Sequence, residues 1–293
     1  MRRAARETPG EVVTMSARTD LALEAKELRE AAEQPLPAGV RCTERREKGV
    51  RITRVEIRSA AGAEALGKPC GTYITLDFGA DQLRAAPGDC EDVLTEALEE
   101  LLPAEGSCLV VGLGNEAVTP DAVGPVTARR VLVTRHLREV LPDLFGPLRQ
   151  VSAVSPGVLG DTGVESAEVV AGLAERIRPG CVLAVDALAA ARPERLCRSV
   201  QLADTGIIPG AGVGNDRRAL NRETLGVPVL AVGVPTVCDL RSLVETEAAL
   251  IVTPGKIDAE IRAVGHLLGA AINRALHPSI PPEDLAEFAA LGG

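Results

Sequence analysis

Two uninterrupted apolar runs constrain this chain more than any other feature. Leu109-Val110-Val111 breaks into the loop Gly112-Leu113-Gly114-Asn115 and delivers Asp121 just after Thr119-Pro120, while Val182-Leu183-Ala184-Val185 ends directly in Asp186. A strand that is apolar at every position has both faces covered, as in parallel sheets sandwiched between helices. Open α/β sheets hold ligands outside the carboxyl ends of such strands. Two runs that each release an aspartate there place a candidate site at that edge.

The rest of the chain alternates to match. A helix starts near Thr19 and closes at Pro35 and Pro37; strands are predicted over 50–57 and 72–78, and a helix over 89–102. After Pro125 a helical pattern runs to about residue 141. It is followed by a strand at 151–154, a helix over 165–178, and the strand ending at Asp186. Further strands at 199–202 and 227–234 precede helices over 239–250 and 257–276. The expected fold is a mainly parallel or mixed central sheet with helices on both faces, a three-layer α/β/α arrangement. Residues 1–18, with Arg2, Arg3, Arg6, Pro9 and Gly10 and little apolar periodicity, read as a leader to one domain.

Composition removes several function classes. A net charge of −9 and an aromatic share of 1% leave neither a basic surface nor stacking platforms for nucleic acid, so no nucleic-acid partner is expected. No membrane partner is expected either, because no run reaches the roughly 18 apolar residues of a span. The amino terminus lacks a secretory core, which points to the cytoplasm. Seven cysteines without CxxC spacing read as reduced core residues.

Motifs narrow the chemistry further. Gly112-Leu113-Gly114 has Ala117 where a dinucleotide fingerprint needs its third glycine, and Asn215 occupies that place after Gly210, Gly212 and Gly214. A nucleotide-binding α/β module is therefore the weaker alternative. The three histidines, His136, His266 and His277, lie in helical patterns away from any GxSxG elbow, and HExxH is absent. Asp-Thr-Gly occurs at Asp161 and Asp204, but pepsin-type enzymes that use this triplet are almost all β, and turn formation explains both. Asp121 and Asp186 could approach each other at the sheet edge, where paired carboxylates divide into an acid and a base. Equally, each could cap the helix that follows it.

The landmarks Arg18-Thr19-Asp20-Leu21-Ala22, Gly67-Lys68-Pro69-Cys70-Gly71-Thr72-Tyr73, Val111-Gly112-Leu113-Gly114-Asn115 with Thr119-Pro120-Asp121-Ala122, Pro156-Gly157-Val158-Leu159-Gly160, Val185-Asp186-Ala187-Leu188, 210–215 and Gly233-Val234-Pro235-Thr236 run through nearly the whole chain. Together they resemble the spore germination protease family. The resemblance implies an endopeptidase, fold-related to hydrogenase-maturation proteases, that degrades small acid-soluble spore proteins in the cytoplasm of the spore core. It further implies a homotetramer, made as a zymogen of atypical aspartic type, with its two essential aspartates at Asp121 and Asp186.

On the same resemblance, a propeptide of residues 1–20 is removed between Asp20 and Leu21, within Asp20-Leu21-Ala22-Leu23-Glu24, leaving residues 21–293 as the peptidase domain. Neither cofactor nor metal is expected, the alternative enzyme being a metal-dependent maturation-type protease. Gly112, Gly114, Asn115, Gly210, Gly212, Gly214 and Asn215 are expected to support the site with loop N–H groups. The sequence departs from the family pattern at Glu116-Ala117, where a bulky residue is usual, and at Asp161, where an apolar one is.

Overall fold

The computed structural model describes residues 19–79, 81–210, 218–244, 246 and 248–291; the leader 1–18 and Gly212, Gly214 and Asn215 lie outside the described residues. The strands are β1 (Val40–Glu47), β2 (Val50–Ile57), β3 (Gly71–Asp77), β4 (Cys108–Gly112), β5 (Val151–Val154), β6 (Cys181–Ala190), β7 (Ser199–Ala203), β8 (Val229–Asp239) and β9 (Ile251–Val252). They form one sheet in the order β1-β2-β3-β7-β8-β6-β4-β5, with β9 beside β8. Pairing is parallel among β5, β4, β6 and β8, and antiparallel across the β1-β2-β3-β7 half and at β7-β8 and β8-β9. The sheet is thus mixed, and its parallel half contains both uninterrupted apolar runs, in β4 and β6.

Alternate residues of these strands feed opposite faces. Val110, Leu183, Val185, Leu202 and Val232 pack with the helices Pro87–Leu101 and Ile257–Leu276 in the main core. Leu109, Val111, Val182 and Ala184 meet the helix Ser166–Ile177 on the other face. On that second face, Val55, Ile57 and Tyr73 of the antiparallel half cover Ala22 of the first helix, Ala22–Ala31. Each fully buried leucine in these layers contributes about 1.5–3 kcal/mol by leaving water. The layers hold the C-terminal end of β4 beside the middle of β6.

Several sequence expectations change. The pattern after Pro125 is two separate helices, Val123–Ala128 and Arg135–Val140, because the chain turns at 129–134. Among the described residues of 239–250 there is a short 3-10 turn, Leu240–Ser242, and no helix. β1 was not foreseen; its VRCTERRE run is an edge strand exposed over most of its length. The first helix has Leu21 as its N-cap, while Thr19 and Asp20 bond elsewhere.

Candidate active site

At the end of the parallel pair β4 and β6, Gly112 lies opposite Val185, and the Leu113 N–H donates to the Val185 carbonyl at 2.8 Å. There the two chains part. β4 stops, Gly114 turns with φ +111°, and a 3-10 turn, Thr119–Asp121, leads into Val123–Ala128. That helix folds back against the strands so closely that a Cβ on Gly124 would stand 2.1 Å from the Leu113 oxygen and 2.6 Å from that of Val185. A Cβ on Gly114 would meet the Asp121 carbonyl oxygen at 2.0 Å. Bare glycines therefore let Asp121 settle over the strand end, where the Asn115 N–H donates to its Oδ2 at 2.7 Å.

β6, in contrast, runs on to Ala190 beside β8. Asp186 consequently sits within a strand, and the helix-capping alternative for it is set aside. Only 3% of it is exposed. Its Oδ1 accepts from the Ala187 N–H at 2.9 Å and its Oδ2 from the Gly210 N–H at 3.4 Å. Burial, reinforced by the charge of Asp121 and opposed by those two amides, pushes its pKa up to about 8, with Asp20 adding to the rise. At neutral pH this carboxyl carries a proton.

Asp121 and Asp186 share the wall of a cavity of about 480 Å³, together with Gly114, Asn115 and Gly210. Its remaining lining is largely apolar, from residues such as Val118, Val158 and Ile251. A polar pair in an apolar cleft of this size is a usual form of ligand pocket. One neutral and one backbone-supported carboxyl can protonate an oxygen and accept a proton from water. Among the described residues, no group of three or more His, Cys, Asp or Glu gathers where it could hold a metal ion.

Asp186 also lines a second cavity of about 300 Å³, with Asp20, Lys68 and Leu188. The segment leading into the first helix is docked here. The Asp20 N–H donates to the Ala189 carbonyl at 2.9 Å, and the Ala189 N–H donates to Asp20 Oδ2 at 2.8 Å. Leu21 is fully buried among Leu188, Ala190, Leu196 and Cys238, and the Ala22 N–H donates to Gln201 Oε1 at 2.7 Å. Glu24 accepts from the N–H groups of Ala191 and Arg192 and from Arg195, at 2.5, 3.1 and 3.0 Å. The segment Asp20–Glu24, where the resemblance implies a cut, is thus held along the extension of β6.

Other candidates fall outside this centre. Asp161 is exposed in the short helix Leu159–Thr162, and Asp204 accepts the Thr72 N–H at 2.8 Å in a turn. His277 is buried near the Leu132 carbonyl, and burial lowers its pKa. Glu116 pairs with Arg129 on the surface. All seven cysteines are free. Sequence reasoning missed Lys68, Gln201 and Arg195; their partners lie between 49 and 179 residues away, and no local spacing announces them.

Residues 16–249 match the germination protease family. A germination protease of Caldanaerobacter subterraneus subsp. tengcongensis is 40% identical, covering 94% of this chain and 99% of that one. One from Clostridium perfringens is 38% identical over 92% and 98%, and one from Bacillus cereus 45% identical over 80% and 66%. Among solved structures, the [NiFe] hydrogenase maturation protease HycI of Thermococcus kodakarensis matches at 18% identity with a TM-score of 0.38, covering 60% of this chain and 98% of that one. On the extent of the sequence match, the chain belongs to the germination protease family of peptidases.

Proposed function

We propose that this germination endopeptidase cleaves small acid-soluble spore proteins in the spore core, works as a homotetramer, matures by cutting its own chain between Asp20 and Leu21, and uses Asp121 and Asp186 as its catalytic pair. The observation that carries the pair is Asp186, whose carboxyl stays protonated up to about pH 8 beside a second aspartate in one cavity. Asp121, with its Oδ2 on the Asn115 N–H, is assigned as the base.

In this reading Asp121 takes a proton from water as the water oxygen attacks the scissile carbonyl carbon. Asp186 gives its proton to the carbonyl oxygen, where negative charge develops. On collapse, the leaving nitrogen takes the proton now on Asp121. The carbonyl re-forms and its hydroxyl proton returns to Asp186, so both groups recover their starting states.

The docking of 19–24 supports self-processing. Asp20 shares a cavity wall with Asp186, while Glu24 and Arg195 fasten the chain just beyond the cut, so a new terminus at Leu21 stays in place. Incubating the full chain with a small acid-soluble spore protein and weighing all products tests the reading. The wild type, Asp161→Ala and Asp204→Ala are expected to yield a chain starting at Leu21 and cut substrate. Asp121→Ala and Asp186→Ala are expected to yield neither; activity in either of them overturns the assignment.

A further inference from the structure

Lys68 follows Gly67, which ends the helix Ala60–Leu66 in the left-handed region at φ +61°, and its side chain turns inward, half-buried. Its ammonium donates to the Thr19 carbonyl at 3.2 Å. Asp20 and Glu24 are the charges that act on it, partly offsetting the downward pull of burial on its pKa. These two carboxylates are not equivalent. Glu24 already has the Arg195 guanidinium and two backbone N–H groups. The Asp20 side chain accepts a backbone N–H, from Ala189, and among the described residues Lys68 is the only cationic one lining the cavity it shares with Asp186.

If the chain is cut after Asp20, everything through Asp20 can leave while Glu24 stays fastened. Lys68 then loses the Thr19 carbonyl and the Asp20 charge together. It is left as a half-enclosed cation in a cavity of about 300 Å³ whose wall includes Asp186. An incoming peptide that puts a carboxylate in the place of Asp20 restores that charge. One that puts a neutral side chain there leaves the cation unmatched, and a site built around a polar partner discriminates strongly against the analogue that lacks it.

We infer that Lys68 is a specificity-determining residue, whose ammonium selects an acidic side chain immediately before the bond to be cut and steadies the preceding carbonyl. This rests on the peptidase reading given above, with cleavage after Asp20. The role is one of recognition, since the proton transfers stay with the two aspartates.

The full chain, allowed to process itself, is given two peptides spanning its own residues 16–27, one with Asp at the position of Asp20 and one with Asn. The wild type is expected to favour the Asp peptide in kcat/KM by about tenfold to a hundredfold. Lys68→Gln is expected to lose most of that preference, slowing far more on the Asp peptide than on the Asn peptide. Lys68→Arg keeps it, and Lys68→Glu gains activity on a peptide with Lys there. Equal cleavage of both peptides by the wild type, or an undiminished preference in Lys68→Gln, overturns the inference while leaving the peptidase reading intact. Cleavage of neither by the wild type overturns the peptidase reading and this with it. If Lys68→Gln fails to fold, as thermal melting shows, the wild-type preference across salt decides: a charge-selected preference shrinks as salt rises, and a constant one overturns it.

Discussion

β4 and β6 begin alike and end differently. Both are buried parallel strands held in register from Cys108 opposite Cys181 to Gly112 opposite Val185. β4 then stops at a glycine turn, and its aspartate arrives nine residues on, in a half-exposed 3-10 turn. β6 continues, and its aspartate is locked inside the strand at 3% exposure. The same sequence device, an apolar run followed by a carboxyl, thereby produces two chemical characters. Where the backbone leaves the sheet the carboxylate meets an N–H and solvent; where it stays, burial keeps the proton on.

The comparison is broken most severely by spoiling the approach that brings the first aspartate over the second. Gly124→Ala drives a Cβ into the Leu113 and Val185 oxygens, so the helix and Asp121 must shift. A displacement of about 1 Å costs on the order of a hundredfold in kcat/KM. The Asp186 carboxyl should remain protonated at pH 7, which its infrared C=O stretch reports. Turnover at the wild-type level would show that the glycine contact does not set the geometry of the pair.

A smaller effect separates the two roles in the wild-type enzyme. With Asp186 as the acid and its pKa near 8, kcat/KM measured against pH should fall above about pH 8, approaching tenfold per pH unit. A profile flat to pH 10 would remove Asp186 from the acid's role.

How much of this could be read from the sequence follows the same division. The apolar runs, their aspartates and the long helix Ile257–Leu276 were legible because burial on both faces and helical periodicity are local patterns. The continuation of β6 was not, since Ala187-Leu188-Ala189-Ala190 are good helix formers and only pairing with β8 makes them a strand. β1 hid behind its Arg and Glu residues, which an edge strand tolerates. Spacing alone leaves the approach of Asp121 to Asp186 open; the glycine packing gives its physical cause. Lys68 and Arg195 gain their meaning from the segment 19–24, brought to them from far along the chain.

The finest distinction lies in stability. The unfolded chain loses the Asp186 proton near pH 4 and the folded one near pH 8, so between these values the folded state holds a proton that the unfolded state has released. Stability contributed at this site therefore falls as pH rises through that window, by up to about 1.4 kcal/mol per pH unit, and levels off above it. Asp186→Asn, which stays neutral throughout, should lose this slope and melt progressively higher than the wild type as pH rises towards 8. Asp121→Asn removes the neighbouring charge that helps to hold the proton, so its slope should end at a lower pH. Because burial is the larger cause, the window should narrow without closing. Were it to close, the pair's own repulsion would be the main reason Asp186 stays neutral, and the strand's enclosure the lesser one.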